Sequence, residues 1–455
     1  MPPSTNPNKP TPTALIPSMP LRLLILALCL AVTARADDPV SFRRDIAPLL
    51  QRRCATCHNE DNPKGGYRLD TVKLLRTTGD SGDAPLVPGK PKESHLFDLL
   101  TTADKDDRMP QKADALPAEE LALIERWIAA GAMSDADRDS QSLAELARQR
   151  HLRAAPPHYP RPIPVTALAF DSTGTRLATS GYREVLIWDV ASGTLVRRLG
   201  GLPERITSLA WHEGRLAFAG GTPGQWGTVG FIFTESDFRI LMLCDLQEMA
   251  LSVAFSPNGK TLVAGCGDRT LRVFRTLDGA QRKVLRLHAD WVQSVAFAPN
   301  GKHLVTASRD RTARVLDTTT WETESSYNDH DTALLCATYL PDGNRVVSMA
   351  RGGVAHLWRP EPAERRGEFI DTGGEVRQLA SGPFGLAAGG ADGTLRLYQE
   401  GSRTPWLELP GHHDAIQAVT TTRDGDLLAT ASADGEVIIW SAHCWEALTR
   451  FLAVP

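Results

Sequence analysis

The 455 residues carry 50 Lys and Arg against 54 Asp and Glu, a net charge of −4. That balance excludes the basic excess of a nucleic-acid binder, so no nucleic-acid partner is expected, and the length exceeds one ordinary domain. Seven cysteines in one close pair plus scattered singles do not make a disulfide framework.

The chain opens with a polar, Pro-rich stretch, followed by an apolar run from Leu21 to Val32 broken by Arg22, then Ala34-Arg35-Ala36. This is the pattern of a secretory signal peptide over residues 1–36, with cleavage before Asp37. The apolar run is shorter than the ~20 residues that span a bilayer, so no transmembrane anchor is expected after cleavage. Leu28 before Cys29 is too bulky for a lipid-attachment site, and Met19 would give a more ordinary signal length than Met1. The expected location is outside the cytoplasm, periplasmic or at the cell surface.

Residues 37–133 read as a small all-α unit. Ser41 is a good N-cap, and Phe42, Ile46, Leu49 and Leu50 recur at helical spacing up to Cys54. A second helix begins at Pro117, has Glu119 and Glu120 at its positive end, carries Leu121, Ile124, Trp127 and Ile128 as its stripe, and stops at Gly131. Between them lies a long stretch rich in Gly, Pro, Asp and Lys, with short apolar pieces such as Leu96 to Leu100.

At the end of the first helix stands Cys54-Ala55-Thr56-Cys57-His58, which fits C-x-x-C-H, the c-type haem-attachment pattern. Two thiols three positions apart can reach both vinyl groups on one porphyrin edge, and the adjacent imidazole can then bind iron. One covalent haem c is expected. A structural zinc would need a second ligand pair some 12–20 residues on, whereas the next candidates are His95 and the distant Cys244. A redox disulfide expects a strand before the motif, not an amphipathic helix. For the sixth iron position the candidates are Met109, on a loop and followed by Pro110, then Met133 and His95. Met109 is the expected ligand, with His58 opposite, and a core role for Met109 and a surface or capping role for His95 are the alternatives.

Residues 134–164 are polar, then basic, then Pro-rich, and suit a linker. From residue 165 to 455 an apolar-small-aromatic segment recurs at Leu168-Ala169-Phe170, Leu209-Ala210-Trp211, Val253-Ala254-Phe255, Val295-Ala296-Phe297 and Ala337-Thr338-Tyr339, then without the aromatic at Leu379-Ala380-Ser381 and Val419-Thr420-Thr421. The spacing is 40 to 44 residues, the period of a four-stranded propeller blade. Ile187-Trp188-Asp189, Trp358 and Trp440, the histidines His288, His330 and His412, and the turn residues Asp268, Asp310, Asp392 and Asp434 resemble WD40 repeats. The resemblance implies a seven-bladed all-β propeller in which these His and Asp residues form structural hydrogen bonds rather than catalyse. The second blade departs from the pattern, being long and Gly-rich from Gly220 to Asp237. Cys244, Cys266, Cys336 and Cys444 fall in or beside strands and are expected to be buried free thiols.

In the haem unit, Phe42-Arg43-Arg44-Asp45-Ile46, Cys57-His58, Gly65-Gly66-Tyr67-Arg68-Leu69, Gly89-Lys90-Pro91-Lys92-Glu93-Ser94, Met109-Pro110 and Ile124 to Ala132 together resemble the planctomycete-type cytochrome c domain. The resemblance implies thioether bonds at Cys54 and Cys57, His58 as proximal and Met109 as distal ligand, and fusion to a WD40-like propeller. The expected function is one-electron transfer to a redox partner protein, with the propeller as a platform for a protein partner. A haem sensor or haem enzyme with an open iron position is the alternative.

Overall fold

The structure is a computed structural model that describes residues 39–455 except 112, 137–138, 236–237, 361–363, 372–374 and 400–401, with the backbone alone at 148, 150 and 364–371. The signal peptide, its cleavage site, Cys29 and the Met19 start lie outside the described residues. No helix among the described residues is long and apolar enough to cross a membrane. The chain divides into two compact units, Met1–Ser140 and Gln141–Pro455.

In the first unit a wide turn, Phe42–Ile46, runs into α1, Ala47–Arg53. Ser41 caps it: its hydroxyl accepts from the Arg44 amide at 3.0 Å, and Asp45 reaches back to the Ser41 amide at 2.9 Å, so two orphan donors of the helix start are satisfied. Among its described residues the long middle stretch holds two short α-helices, α2 (Val72–Leu75) and α3 (His95–Thr101), and two single 3-10 turns, Lys64–Gly66 and Pro91–Glu93. The last helix, α4 (Ala118–Ala129), has Pro117 as its N-cap and is ended by Gly131 at φ 100°. Phe42, Ile46, Leu49, Leu50, Leu69, Phe97, Leu100, Ile124, Trp127 and Ile128 are all buried, and the rings of Phe42 and Trp127 lie 5.3 Å apart. These few apolar side chains form the unit's core.

The second unit begins with α5, Leu143–Arg148, whose buried Leu143 and Leu146 face the fourth strand of the second blade. The Pro-rich stretch that follows is therefore fastened. His151 stacks on Trp226 at 4.7 Å, and Arg198 donates to the carbonyls of Pro156 and Pro157 at 2.6 and 2.7 Å.

Seven four-stranded antiparallel sheets follow, each built from consecutive strands, at residues 168–200, 205–246, 250–285, 292–327, 334–371, 379–410 and 416–452. The first strands of neighbouring sheets lie side by side and surround a channel of about 840 Å3. Ser208 and Ser252 accept from the amides of Val253 and Val295 in the next sheet, each at 3.2 Å, which stitches one inner strand to its neighbour. Among the described residues no strand is exchanged between the first and last blades. The seam closes by side-chain packing, with Trp188 4.5 Å from Phe451, and by the Thr449 hydroxyl on the Val190 carbonyl at 3.0 Å.

The Gly-rich second blade contains three eight-residue strands, Arg205–His212, Arg215–Thr222 and Trp226–Phe233. Its glycines are there for space: a Cβ on Gly230 would meet the Phe218 ring at 2.5 Å, and one on Gly221 the Trp226 carbonyl at 2.2 Å. Of the histidines, His288 bonds Asp310 at 3.0 Å and Thr306 at 2.8 Å. In the other two blades the partner differs. His412 bonds Thr430 at 2.7 Å and lies 3.2 Å from Glu436 rather than Asp434, while His330 bonds Ser348 at 2.7 Å and stacks on His356 at 4.1 Å. Cys244, Cys266 and Cys336 are buried free thiols, but Cys444 is exposed, because it falls in the turn before the last strand rather than within a strand.

Candidate haem-attachment site

The motif is wound around the end of α1. The Cys54 and Ala55 amides both donate to the Leu50 carbonyl, at 2.9 and 3.1 Å, and the Cys57 and His58 amides both donate to the Cys54 carbonyl, at 3.1 and 3.2 Å. Both thiols are thus carried by this one turn, three positions apart. Both are free. Burial pushes the Cys54 thiol up to about 12, against the pull of Arg53, the reverse of the acidic thiol that a redox C-x-x-C pair uses. Among the described residues no three His, Cys, Asp or Glu side chains converge as a metal site, which a structural zinc would require.

A loop returns the chain over His58. The side-chain amide of Asn59 donates to the Ala55 carbonyl at 2.8 Å, Lys64 donates to the Cys57 carbonyl at 3.1 Å, and Leu69 donates to the His58 carbonyl at 2.8 Å. Gly65 and Gly66 take left-handed conformations, φ 63° and 65°, that turn Tyr67 back toward the motif. The Tyr67 carbonyl then lies 3.2 Å from His58 Nδ1. A carbonyl only accepts, so Nδ1 carries the proton and the lone pair of Nε2 is left to bind a metal. The Tyr67 ring stands edge-on to the imidazole at 5.7 Å, and its hydroxyl donates to the Leu75 carbonyl at 2.7 Å. Two free thiols at one helix end beside an imidazole held by Nδ1 fit a c-type haem.

Met109 sits apart in sequence, on the loop after α3. Its amide donates to the Leu99 carbonyl at 2.8 Å, its side chain is half-buried, and the Met109–Pro110 peptide is cis. Among the described residues no hydrogen bond joins it to His58. Met133 is 70 % exposed, and its carbonyl accepts from the Trp127 indole at 2.8 Å. His95 opens α3 with Nδ1 3.9 Å from Asp83.

Two positions that support the unit had no role assigned from spacing. Asp135 accepts from the Ser41 hydroxyl at 2.6 Å and the Arg43 amide at 2.7 Å, which clasps the two ends of the unit together. Ser94, fully buried, accepts from the Val87 amide at 2.9 Å and donates to the Lys90 carbonyl at 3.0 Å.

A haem-attachment turn in one unit and a seven-bladed propeller in the other define a haem-binding protein with a propeller of the protein-interaction kind. The family described as planctomycete cytochrome C matches residues 54–112, so the first unit carries a domain of that family. The WD domain, G-beta repeat family matches residues 156–189, 248–275, 279–317 and 403–441, within the first, third, fourth and seventh blades, the stretch leading into the first and the last strand of the sixth. No curated protein matches the chain.

Proposed function

We propose that this chain is an exported one-electron carrier with a single haem c, held by thioethers at Cys54 and Cys57, with His58 as proximal and Met109 as distal ligand. The observation that carries the reading is the Tyr67 carbonyl on His58 Nδ1 at 3.2 Å, because an outer hydrogen bond of this kind orients a ligating imidazole and raises its basicity. When bound, the haem supplies a reversible ferric–ferrous couple. The protein's part is to fix the porphyrin edge at Cys54 and Cys57, to aim Nε2 of His58, and to close the far side with Met109 so that small ligands are kept out. Haem attachment of this type takes place outside the cytoplasm, which agrees with the leader sequence. The proposed organisation is a signal peptide (1–36), a haem domain (37–133), a connecting stretch (134–164) and a propeller (165–455), the propeller serving as a docking platform for a protein partner and the haem unit meeting a redox partner.

The test uses mature protein made with a haem-attachment system. Haem stays on the chain through denaturing electrophoresis and is lost in Cys54→Ser, Cys57→Ser. Met109→Ala lowers the reduction potential, since thioether sulfur favours ferrous iron, and lets carbon monoxide bind the reduced haem quickly, whereas His95→Ala does neither. If the unaltered protein binds carbon monoxide as fast as Met109→Ala, the iron is open and the carrier reading yields to a sensor or enzyme.

A further inference from the structure

At the end of the ring where the second strand of each blade turns into the third, the blades fall into two groups. In the fifth, sixth and seventh, the last turn residues include Gly353, Gly393 and Gly435, all left-handed with φ between 77° and 88°. In the third and fourth blades the matching residues are Arg269 and Arg311, left-handed at 68° and 72°, and in the shorter turn of the first blade Arg183 stands at 64°. The match is set by the turn itself, since Arg269, Arg311, Gly353, Gly393 and Gly435 each donate an amide to the carbonyl three residues back. A side chain in this conformation is strained where glycine is not, and residues held so often mark a working surface.

The arginines are also unneutralised. Arg269 and Arg311 are exposed and have no carboxylate partner among the described residues, and Arg183 lies over its neighbour Tyr182 at 4.9 Å. Arg205, exposed at the channel mouth in the second blade, has none either. The acids next to Arg269 and Arg311 in sequence hold other partners, Asp268 on Arg272 and Asp310 on His288. Glu248 accepts the amides of Gly224 and Met249, Glu204 accepts from the Thr222 hydroxyl, and Asp290 lies 3.5 Å from Arg309.

We infer that this arc, Arg183, Arg205, Arg269 and Arg311 across the first four blades, binds an acidic segment of a partner protein. The inference rests on the reading of the propeller as a docking platform and names the chemistry of what docks there. Carboxylates from an extended chain would meet successive guanidinium groups around the channel mouth, each contributing the modest, salt-sensitive energy of an exposed pair.

The test measures fluorescence anisotropy of a fluorescein-labelled peptide of alternating Glu and Gly with the full mature chain. Binding is expected in low salt, weakens as salt rises, and is absent with the matching Gln-Gly peptide. R183G/R269G/R311G should weaken it about eightfold, a factor of about two for each lost pair. Its melting temperature should not fall, because glycine is at home in these turns. R183K/R269K/R311K should keep most of the binding, which separates charge from turn geometry. Equal binding by the glycine variant, or equal binding of the Gln-Gly peptide, overturns the inference. So does binding of a uronate polysaccharide in place of the acidic peptide. If the glycine variant still cross-links to protein partners as the native chain does, and the acidic peptide does not compete, the platform reading stands and this surface assignment alone falls.

Discussion

Gly79→Ala tests the imidazole support without touching the motif. A Cβ at Gly79 would lie 2.5 Å from the Gly65 carbonyl oxygen and 3.1 Å from Tyr67 Cβ, where ordinary contact needs about 3.4 Å or more. Backbone rather than a flexible side chain is in the way, so the segment carrying Gly65 to Tyr67 must move by roughly 0.5–1 Å. The His58 Nδ1 bond to the Tyr67 carbonyl is already 3.2 Å long, and a further shift of that size takes it beyond hydrogen-bond range. Cys54 and Cys57 are untouched, so the covalent attachment of the proposed haem should persist. The imidazole loses the acceptor that made it more basic, and the reduction potential rises by about 30–60 mV, the one-electron equivalent of a threefold to tenfold change. Spectroelectrochemical titration of the full chain reads this directly. An unchanged potential, with the variant folded, would refute the role assigned to the Tyr67 carbonyl.

Two further outcomes concern the propeller. Tyr159→Phe removes a hydroxyl that donates to the buried Glu184 at 2.7 Å and accepts from the Tyr182 amide at 2.9 Å; the loss should be about 2–3 kcal/mol in denaturant unfolding, while His158→Ala, nearby and exposed, should be neutral. Asp310→Asn should cost about 2 kcal/mol near neutral pH by unpairing His288. Burial acts to raise the Asp310 carboxyl, but the His288, Thr312 and Ala289 hydrogen bonds outweigh it and hold the carboxyl well below its usual range. Its stabilisation is therefore present above about pH 4 and is lost as pH falls toward the depressed native value, so the native protein and Asp310→Asn should converge in acid. A gap that persists unchanged in strong acid would contradict this.

The seven blades could be counted from sequence because each repeats one apolar-small-aromatic strand and one turn, and the turn residue Asp310 foretold its bond to His288. The substitutes were hidden. Glu436 takes the place beside His412 although Asp434 has the repeat's usual position, and Tyr159, in a stretch that reads as linker, reaches Glu184 as a histidine reaches its acid elsewhere. The candidate attachment turn was legible because Cys54, Cys57 and His58 are neighbours whose chemistry depends on spacing. The group that orients His58 was not, since a backbone carbonyl leaves no mark on residue identity; Gly65 and Gly66 were its only trace.

The stretch before the first strand also bears on how the ring is held. With no strand shared between the first and last blades among the described residues, the seam depends on what crosses it. Tyr159 is bonded to Glu184 of the first blade, and Arg198 holds that same carboxylate at 2.8 Å as well as the Pro156 and Pro157 carbonyls. A few residues on, a Cβ at Gly435 would come 2.9 Å from the Ile163 carbonyl, and the Val165 amide donates to Ser432 of the last blade at 3.3 Å. The chain from 159 to 165 thus spans both sides of the seam and supplies with hydrogen bonds part of what an exchanged strand would supply with a ladder. Prolines suit this segment: the fixed φ lowers the entropy lost when the strap is laid down, and few of its amides are needed as donors.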